Sequence, residues 1–229
     1  MSLYETITKR RSVRKFNKTP LEEDVLKDVS KFLEDTKQIE GQKAMFGVVS
    51  AEAVKGPAPH YILAYGEEGD AAYINVGYVL QKTDLYIQGK GLGSLYLGVK
   101  KPVIKSDDFL MMTAFGASDV PFRKGEQDFD RLPINEICSV DNSVSRAARL
   151  APSARNYQPW KLTIRENDVK IDYFGRGALK SMFRGRLAMI DIGIVTSHVE
   201  LALIDEGKKV TSIVPKPDGK GISVTISFE

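Results

Sequence analysis

The sequence predicts an α+β fold built as two related halves, and three observations predict it. Short strand-like runs alternate with helical patterns along the 229 residues. The order of elements in the first half returns in the second. The two longest helical patterns, AAYINVGYVLQKTDLYIQGKG (71–91) and MFRGRLAMIDIGIVTSHVELALIDEG (182–207), also superpose at an offset of 116. Gly77 then falls on Gly193, Val76 on Ile192, Val79 on Val195, Asn75 on Asp191, Leu85 on Leu201 and Gly91 on Gly207. At an offset of 115, MFGVV (45–49) falls on WKLTI (160–164). Self-similarity at a fixed offset, with the flanking strands in the same order, points to an internal duplication. The halves are expected to divide at residues 1–125 and 126–229, as one intertwined unit.

The elements follow in order. Leu3, Tyr4 and Ile7 have the spacing of a short helix over 3–10. Thr19-Pro20 opens LEEDVLKDVSKFLEDT, which places acids in its first turn and Leu21, Val25, Val29, Phe32 and Leu33 on one face, the signature of an amphipathic helix. MFGVVSA and HYILAYG read as strands. The first long helix comes next, then GLGSLYLGV as a glycine turn into a strand, and DDFLMMTAFG as another strand. A polar loop, VPFRKGEQDFDRLP, leads to the second half: helix NSVSRAARLA, strands WKLTIRE and VKIDYFG, the second long helix, and strands KKVTSIV and GISVTISFE.

Composition narrows the function classes. With 42% hydrophobic and 28% charged residues the chain is neither disordered nor fibrous. The net charge of +3 comes from 33 basic and 30 acidic residues that are well mixed, so a nucleic-acid partner is not expected. Cys138 is the single cysteine, which fits a reducing compartment. MSLYETITKRR has no apolar signal core, and the apolar runs are too short and too polar to span a bilayer. A cytoplasmic protein without membrane partners is the expectation. His60 and His198 have no metal spacing with Cys138, and no metal is expected. Cys138 reads as a buried thiol.

Two segments remain. RRSVRKF (10–16) crowds three guanidiniums and a hydroxyl into five residues, a set suited to forked, charge-assisted bonds with phosphate and carbonyl oxygens. RLAPSARNYQPW (149–160) runs a helical approach into a turn bracketed by Pro152 and Pro159. The prolines lower the entropy cost of holding Ser153 and Asn156 towards a ligand. Trp160 reads as the structural first residue of a strand.

RRSVRKF and APSARNYQPW resemble the two signature segments of the FMN-dependent nitroreductase family. GLGSLYLG resembles a third, and FDRLPINEI (129–137) is similar to the family's closing segment. The resemblance implies a nitroreductase-like α/β sandwich of mainly antiparallel sheets flanked by helices. Ordinary members carry the first two segments some 20–30 residues apart and form obligate homodimers with two shared flavin sites. Here the segments lie one in each half. The alignment puts KQIEGQKAM (Lys37–Met45) where the first half should repeat the serine–asparagine segment, and EQDFD (Glu126–Asp130) where the second should repeat RRSVR. The implied arrangement is a single-chain pseudo-dimer that keeps one flavin site, needs no second chain and is able to act as a monomer.

Carried over residue by residue, the resemblance implies FMN contacts from Arg10, Arg11, Ser12, Arg14, Leu97, Gly98, Arg131, Pro152, Ser153, Ala154 and Asn156, with Lys124 as a helper and Tyr96 as a candidate cover for the ring. Arg10 and Ser153 are expected on one ligand, and neither is expected to be needed for folding. No catalytic side chain is required, because the chemistry resides on the cofactor. The implied activity is hydride transfer from NAD(P)H through FMN to a nitroaromatic, quinone or enone. On residues alone two other readings stay open: a related protein that binds flavin or another ligand without turnover, and a basic α/β protein that binds nucleic acid through RRSVRK.

Overall fold

A computed structural model describes residues 1–98, 102–175, 185–217 and 222–229. Val99, Gly221 and the start of the second long helical pattern, residues 182–184, lie outside them. Among the described residues, two four-stranded antiparallel sheets form. The first contains β1 (Met45–Ser50), β2 (His60–Tyr65), β3 (Gly93–Tyr96) and β4 (Phe109–Gly116), in the order β1-β2-β4-β3. The second contains β5 (Trp160–Ile164), β6 (Asp168–Tyr173), β7 (Val210–Pro217) and β8 (Ile222–Phe228), in the order β5-β6-β8-β7. The two orders correspond strand for strand.

The helices are α1 (Leu3–Ile7), α2 (Glu23–Asp35), α3 (Asp70–Gly89), α4 (Ile134–Ile137), α5 (Ser143–Leu150) and α6 (Arg186–Asp205). Ser2 caps α1 through a reciprocal pair with Glu5, and Asn142 caps α5 through a pair with Ser145, so orphan N–H groups at both ends are satisfied. The amphipathic α2 buries Val29 and Leu33 and stacks Phe32 on Tyr86 of α3, ring centroids 3.9 Å apart. Short α4 follows Pro133 and was not foreseen.

The centre is the crossing of α3 and α6, both buried around most of their circumference. A helix that is apolar on all sides belongs inside a core. By length and composition α6 is apolar enough to cross a membrane, yet 89% of its most apolar stretch is buried in this fold. The crossing is reciprocal. A Cβ on Gly77 would stand 2.1 Å from the Ile190 carbonyl oxygen, and one on Gly193 would stand 1.9 Å from the Ile74 carbonyl oxygen. Ile74 and Ile190 are themselves related by the offset of 116. Each helix thus presents its glycine to the same turn of the other, as across a two-fold interface.

RRSVRKF runs along the free edge of the first sheet. Ser12 bridges Ser94 of β3 in parallel, and the Val13 N–H donates to the Ser94 carbonyl at 2.9 Å. Covering an edge in this way removes unpaired backbone groups and fixes the segment's position. In the second sheet β5 alternates buried Trp160 and Leu162 with exposed Lys161 and Thr163, so Trp160 is a core residue at the start of its strand.

Candidate functional site

A cavity of about 300 Å³ lies where the halves meet. One wall is Ser12 and Arg14 with Leu95, Tyr96, Gly98 and Met111. The facing wall is Pro152, Ser153, Ala154 and Arg155, and the side between them is formed by α6. An adjoining cavity of about 430 Å³ shares Gly98, Ala154, Arg155, Leu187 and Asp191. Both volumes fall in the range of small-molecule sites. The segments singled out in the two halves therefore converge, although more than 130 residues separate them.

The proline-bracketed turn is tightly held. Arg155, Asn156 and Gln158 adopt positive φ of 52°, 60° and 50°. Non-glycine residues in the left-handed region carry a cost and cluster at functional sites. Hydrogen bonds fix the turn: the Gln158 N–H donates to Ser153 Oγ at 2.9 Å, the Leu132 N–H to Gln158 Oε1 at 3.0 Å, and Asn156 Nδ2 to the Asp130 carbonyl at 2.9 Å. Arg131 Nη1 donates to Asn156 Oδ1 at 2.6 Å, while Arg131 Nε is buried without a hydrogen-bond partner. Arg123 and Arg131 both lie over the Phe129 ring. Burial and the neighbouring Arg10 lower both guanidinium pKa values to about 10. Positive charge is concentrated here, and an anion would relieve it.

Six of the expected residues line the first cavity: Ser12, Arg14, Gly98, Pro152, Ser153 and Ala154. Five do not. Arg10 is 1% exposed and its Nε donates to buried Asp84 Oδ2 at 3.0 Å, so the structure makes it a core ion pair. It reaches the site only through Ser12, whose Oγ accepts from Arg10 Nη2 at 3.5 Å. Arg11 is spent on the Pro121 carbonyl at 2.8 Å. Leu97 turns into a small apolar cluster that includes Tyr61, Leu63 and Met112. Arg131 and Asn156 bind one another beside the turn. Just before and within EQDFD, the Lys124 N–H donates to Asp128 Oδ2 at 2.7 Å and the Arg123 N–H to the Lys9 carbonyl at 3.0 Å.

The sequence reading missed the helical wall. Leu187, Ile190, Asp191 and Ile194 all line the cavity. Their i, i+3, i+4, i+7 spacing places them on one helix face. Asp191 is 4% exposed, and burial pushes its carboxyl well above the ordinary range despite one hydrogen bond from the Ala154 N–H. Tyr96 is likewise held as the phenol, mainly by burial and by Asp84.

Behind the cavity a buried polar chain joins the halves. Gln81 Nε2 lies 3.0 Å from His198 Nε2, and His198 Nδ1 lies 2.8 Å from the Ala147 carbonyl. A carbonyl only accepts, so Nδ1 carries the proton and Nε2 accepts from Gln81. Burial lowers the His198 pKa to about 3, so the ring is neutral in the fold. In the unfolded chain it protonates near pH 6.5. The unfolded state therefore binds the extra proton between these values, and stability falls as pH drops through that window. His198→Gln, read by urea unfolding at a series of pH values, is expected to flatten the loss between about pH 6.5 and about pH 4. An unchanged slope would place the acid sensitivity elsewhere.

A third cavity of about 570 Å³ lies beside the end of α2 and β7, lined by Lys37–Glu40, Tyr78, Lys82 and Glu200. By the same offsets, Gln38 and Ile39 correspond to Ser153 and Ala154, and Glu200 to Asp84. Here Lys82 Nζ pairs with Glu200 Oε2 at 2.6 Å, and the Tyr78 hydroxyl donates to the same carboxylate at 2.8 Å. The serine–proline turn and the arginine segment of the first cavity have no counterpart among its lining residues.

Comparisons with known proteins agree with this architecture. The family described as "Putative TM nitroreductase" matches residues 2–203. A solved Thermotoga maritima structure, described as a "putative nitroreductase", superposes with a TM-score of 0.74 at 21% identity, over 99% of this chain and 94% of its own. A nitroreductase family protein from Clostridium difficile 630 superposes with a TM-score of 0.50 at 21% identity, over 62% of this chain and 99% of its own. No curated protein matches.

Proposed function

The chain belongs to the TM nitroreductase family, and from that premise we propose that it is an FMN-dependent oxidoreductase that works as a single chain. The observation that carries the proposal is the meeting of Ser12 and Arg14 with Pro152–Ala154 around one cavity. The residues present fit the group. Arg14 brings a guanidinium to the cavity lining, suited to forked bonds with phosphate oxygens. The Ser153 hydroxyl accepts from the Gln158 N–H and keeps its own proton to donate. Met111, Leu187, Ile190 and Ile194 give an apolar bed for a flat ring.

The chemistry that bound FMN supplies is hydride transfer from a reduced nicotinamide to an electron-poor acceptor. The chain's residues hold the phosphate, orient the ring between the halves and exclude water from the apolar bed. Nitroaromatics, quinones and enones form the acceptor class, and the cytoplasm is the proposed compartment.

Flavin titration of the purified protein, followed by absorbance, tests the reading. One FMN per chain is expected. Arg14→Ala should weaken binding by about ten- to a hundredfold, since a charged hydrogen bond contributes about 1.5–3 kcal/mol. A protein that binds no flavin, or an Arg14 variant of unaltered affinity, would overturn it.

A further inference from the structure

Asp191 stands on the wall shared by the two adjoining cavities. Its hydrogen bonding is minimal: both carboxyl oxygens face the Ala154 N–H, at 3.0 and 3.1 Å. The related position in the other half shows what that contact needs. Asn75 Oδ1 accepts from the Ile39 N–H at 2.9 Å, and its Nδ2 donates to Gln38 Oε1 at 2.8 Å. An amide is therefore sufficient to hold the turn. At Asp191 the amide is replaced by an acid, and the residue matching Gln38 is Ser153.

A carboxyl buried without a cation partner stays protonated where an exposed one would ionise. Its pKa is raised by burial, with only the Ala154 N–H opposing. Protonated, it owns an O–H that no protein acceptor takes up among the described residues. Arg14, Arg155, Arg186 and Tyr96 line the same cavities, and no arginine is among the groups that act on the carboxyl. Tyr96 remains a phenol, and His198, further along α6, is neutral.

We propose that Asp191 is the acid of the site, donating first a hydrogen bond and then its proton to an oxygen of a conjugated carbonyl acceptor. This rests on the flavin reading above. Bound FMN would supply the hydride, drawn from a reduced nicotinamide. As hydride adds at the β-carbon, the C=C pair shifts, the C=O pair moves onto oxygen, and a new O–H bond forms as the Asp191 O–H breaks. The carboxylate left behind regains a proton from water through the adjoining cavity. The acceptor gains two electrons and two hydrogens overall.

Benzoate, which offers a carboxylate oxygen and does not turn over, is the probe. Its affinity is measured by calorimetry between about pH 5.5 and about 9, where benzoate is ionised and the tyrosines are not. Wild-type affinity should fall with rising pH, approaching tenfold per unit once Asp191 ionises. In Asp191→Asn, which keeps the turn contact as Asn75 does, the profile should be flat. Asp191→Ser, which likewise has no side-chain group that titrates in this range, serves the same comparison. With a cyclic enone and FMN-loaded protein, Asp191→Asn should lower kcat by about a hundredfold or more with little change in KM. A flat wild-type profile, or the same slope in both variants, overturns the assignment of Asp191. Failure to load flavin would instead remove the flavin reading, while the benzoate profile still reports on Asp191.

Discussion

Arg10→Ala is expected to cost the fold about 3–5 kcal/mol, the range for breaking a buried ion pair from one side. Arg10 and Asp84 are both almost fully buried, and their contact is 3.0 Å. Without the guanidinium, Asp84 keeps only neutral donors: Gln88 Nε2 at 3.1 Å, Gln81 Nε2 at 3.5 Å and the Ser94 hydroxyl. A buried anion with amide and hydroxyl partners alone is poorly compensated. The double variant Arg10→Ala with Asp84→Asn removes the stranded charge and should recover much of the loss, a coupling that independent sites would not show. Urea midpoints of the two single variants and the double decide the matter. A single variant as stable as wild type would return Arg10 to the role expected from sequence, that of a ligand contact.

Gly193→Ala carries the second large effect, and it runs against helix propensity. Alanine is favoured over glycine inside a helix by about 1 kcal/mol. Here the added Cβ would meet the Ile74 carbonyl oxygen at 1.9 Å and the Tyr78 nitrogen at 2.7 Å. Both are backbone atoms, and neither can rotate aside. The helices must part, and the loss should lie at the top of the usual overpacking range of about 1–3 kcal/mol or beyond it. Gly77→Ala should act in the same direction through the Ile190 carbonyl. Because Ile190, Asp191 and Ile194 line the cavity, separation at Gly193 should also weaken benzoate binding. Thermal unfolding of either variant at the wild-type temperature would show that the helices do not cross at these glycines.

Much of this fold could be read from the chain because periodicity reports burial directly. The two long helices span 70–89 and 186–205, related by the same offset of 116 that their sequences suggest. Pro152 and Pro159 announced the turn, and the cavity brings it to Ser12 and Arg14. Other features had no local signal. Arg10 looks like any basic residue until Asp84, 74 positions away, is seen to share its burial. Leu97 and Gly98 are sequence neighbours, yet one enters a separate apolar cluster while the other lines the cavity. The face of α6 that carries Asp191 was hidden for the opposite reason. The helix is buried on nearly every side, so no stripe stood out from the rest.

Asn75 and Asp191 occupy matching places, one an amide and one an acid, each receiving a loop N–H. In an assembly of two identical chains such a difference is impossible, because every substitution is inherited twice. When both halves are encoded in one polypeptide, a change is inherited once. In this chain one pocket carries a lysine–glutamate pair and the other a serine turn and an acid. The glycine crossing is reciprocal, while the two pockets are not alike.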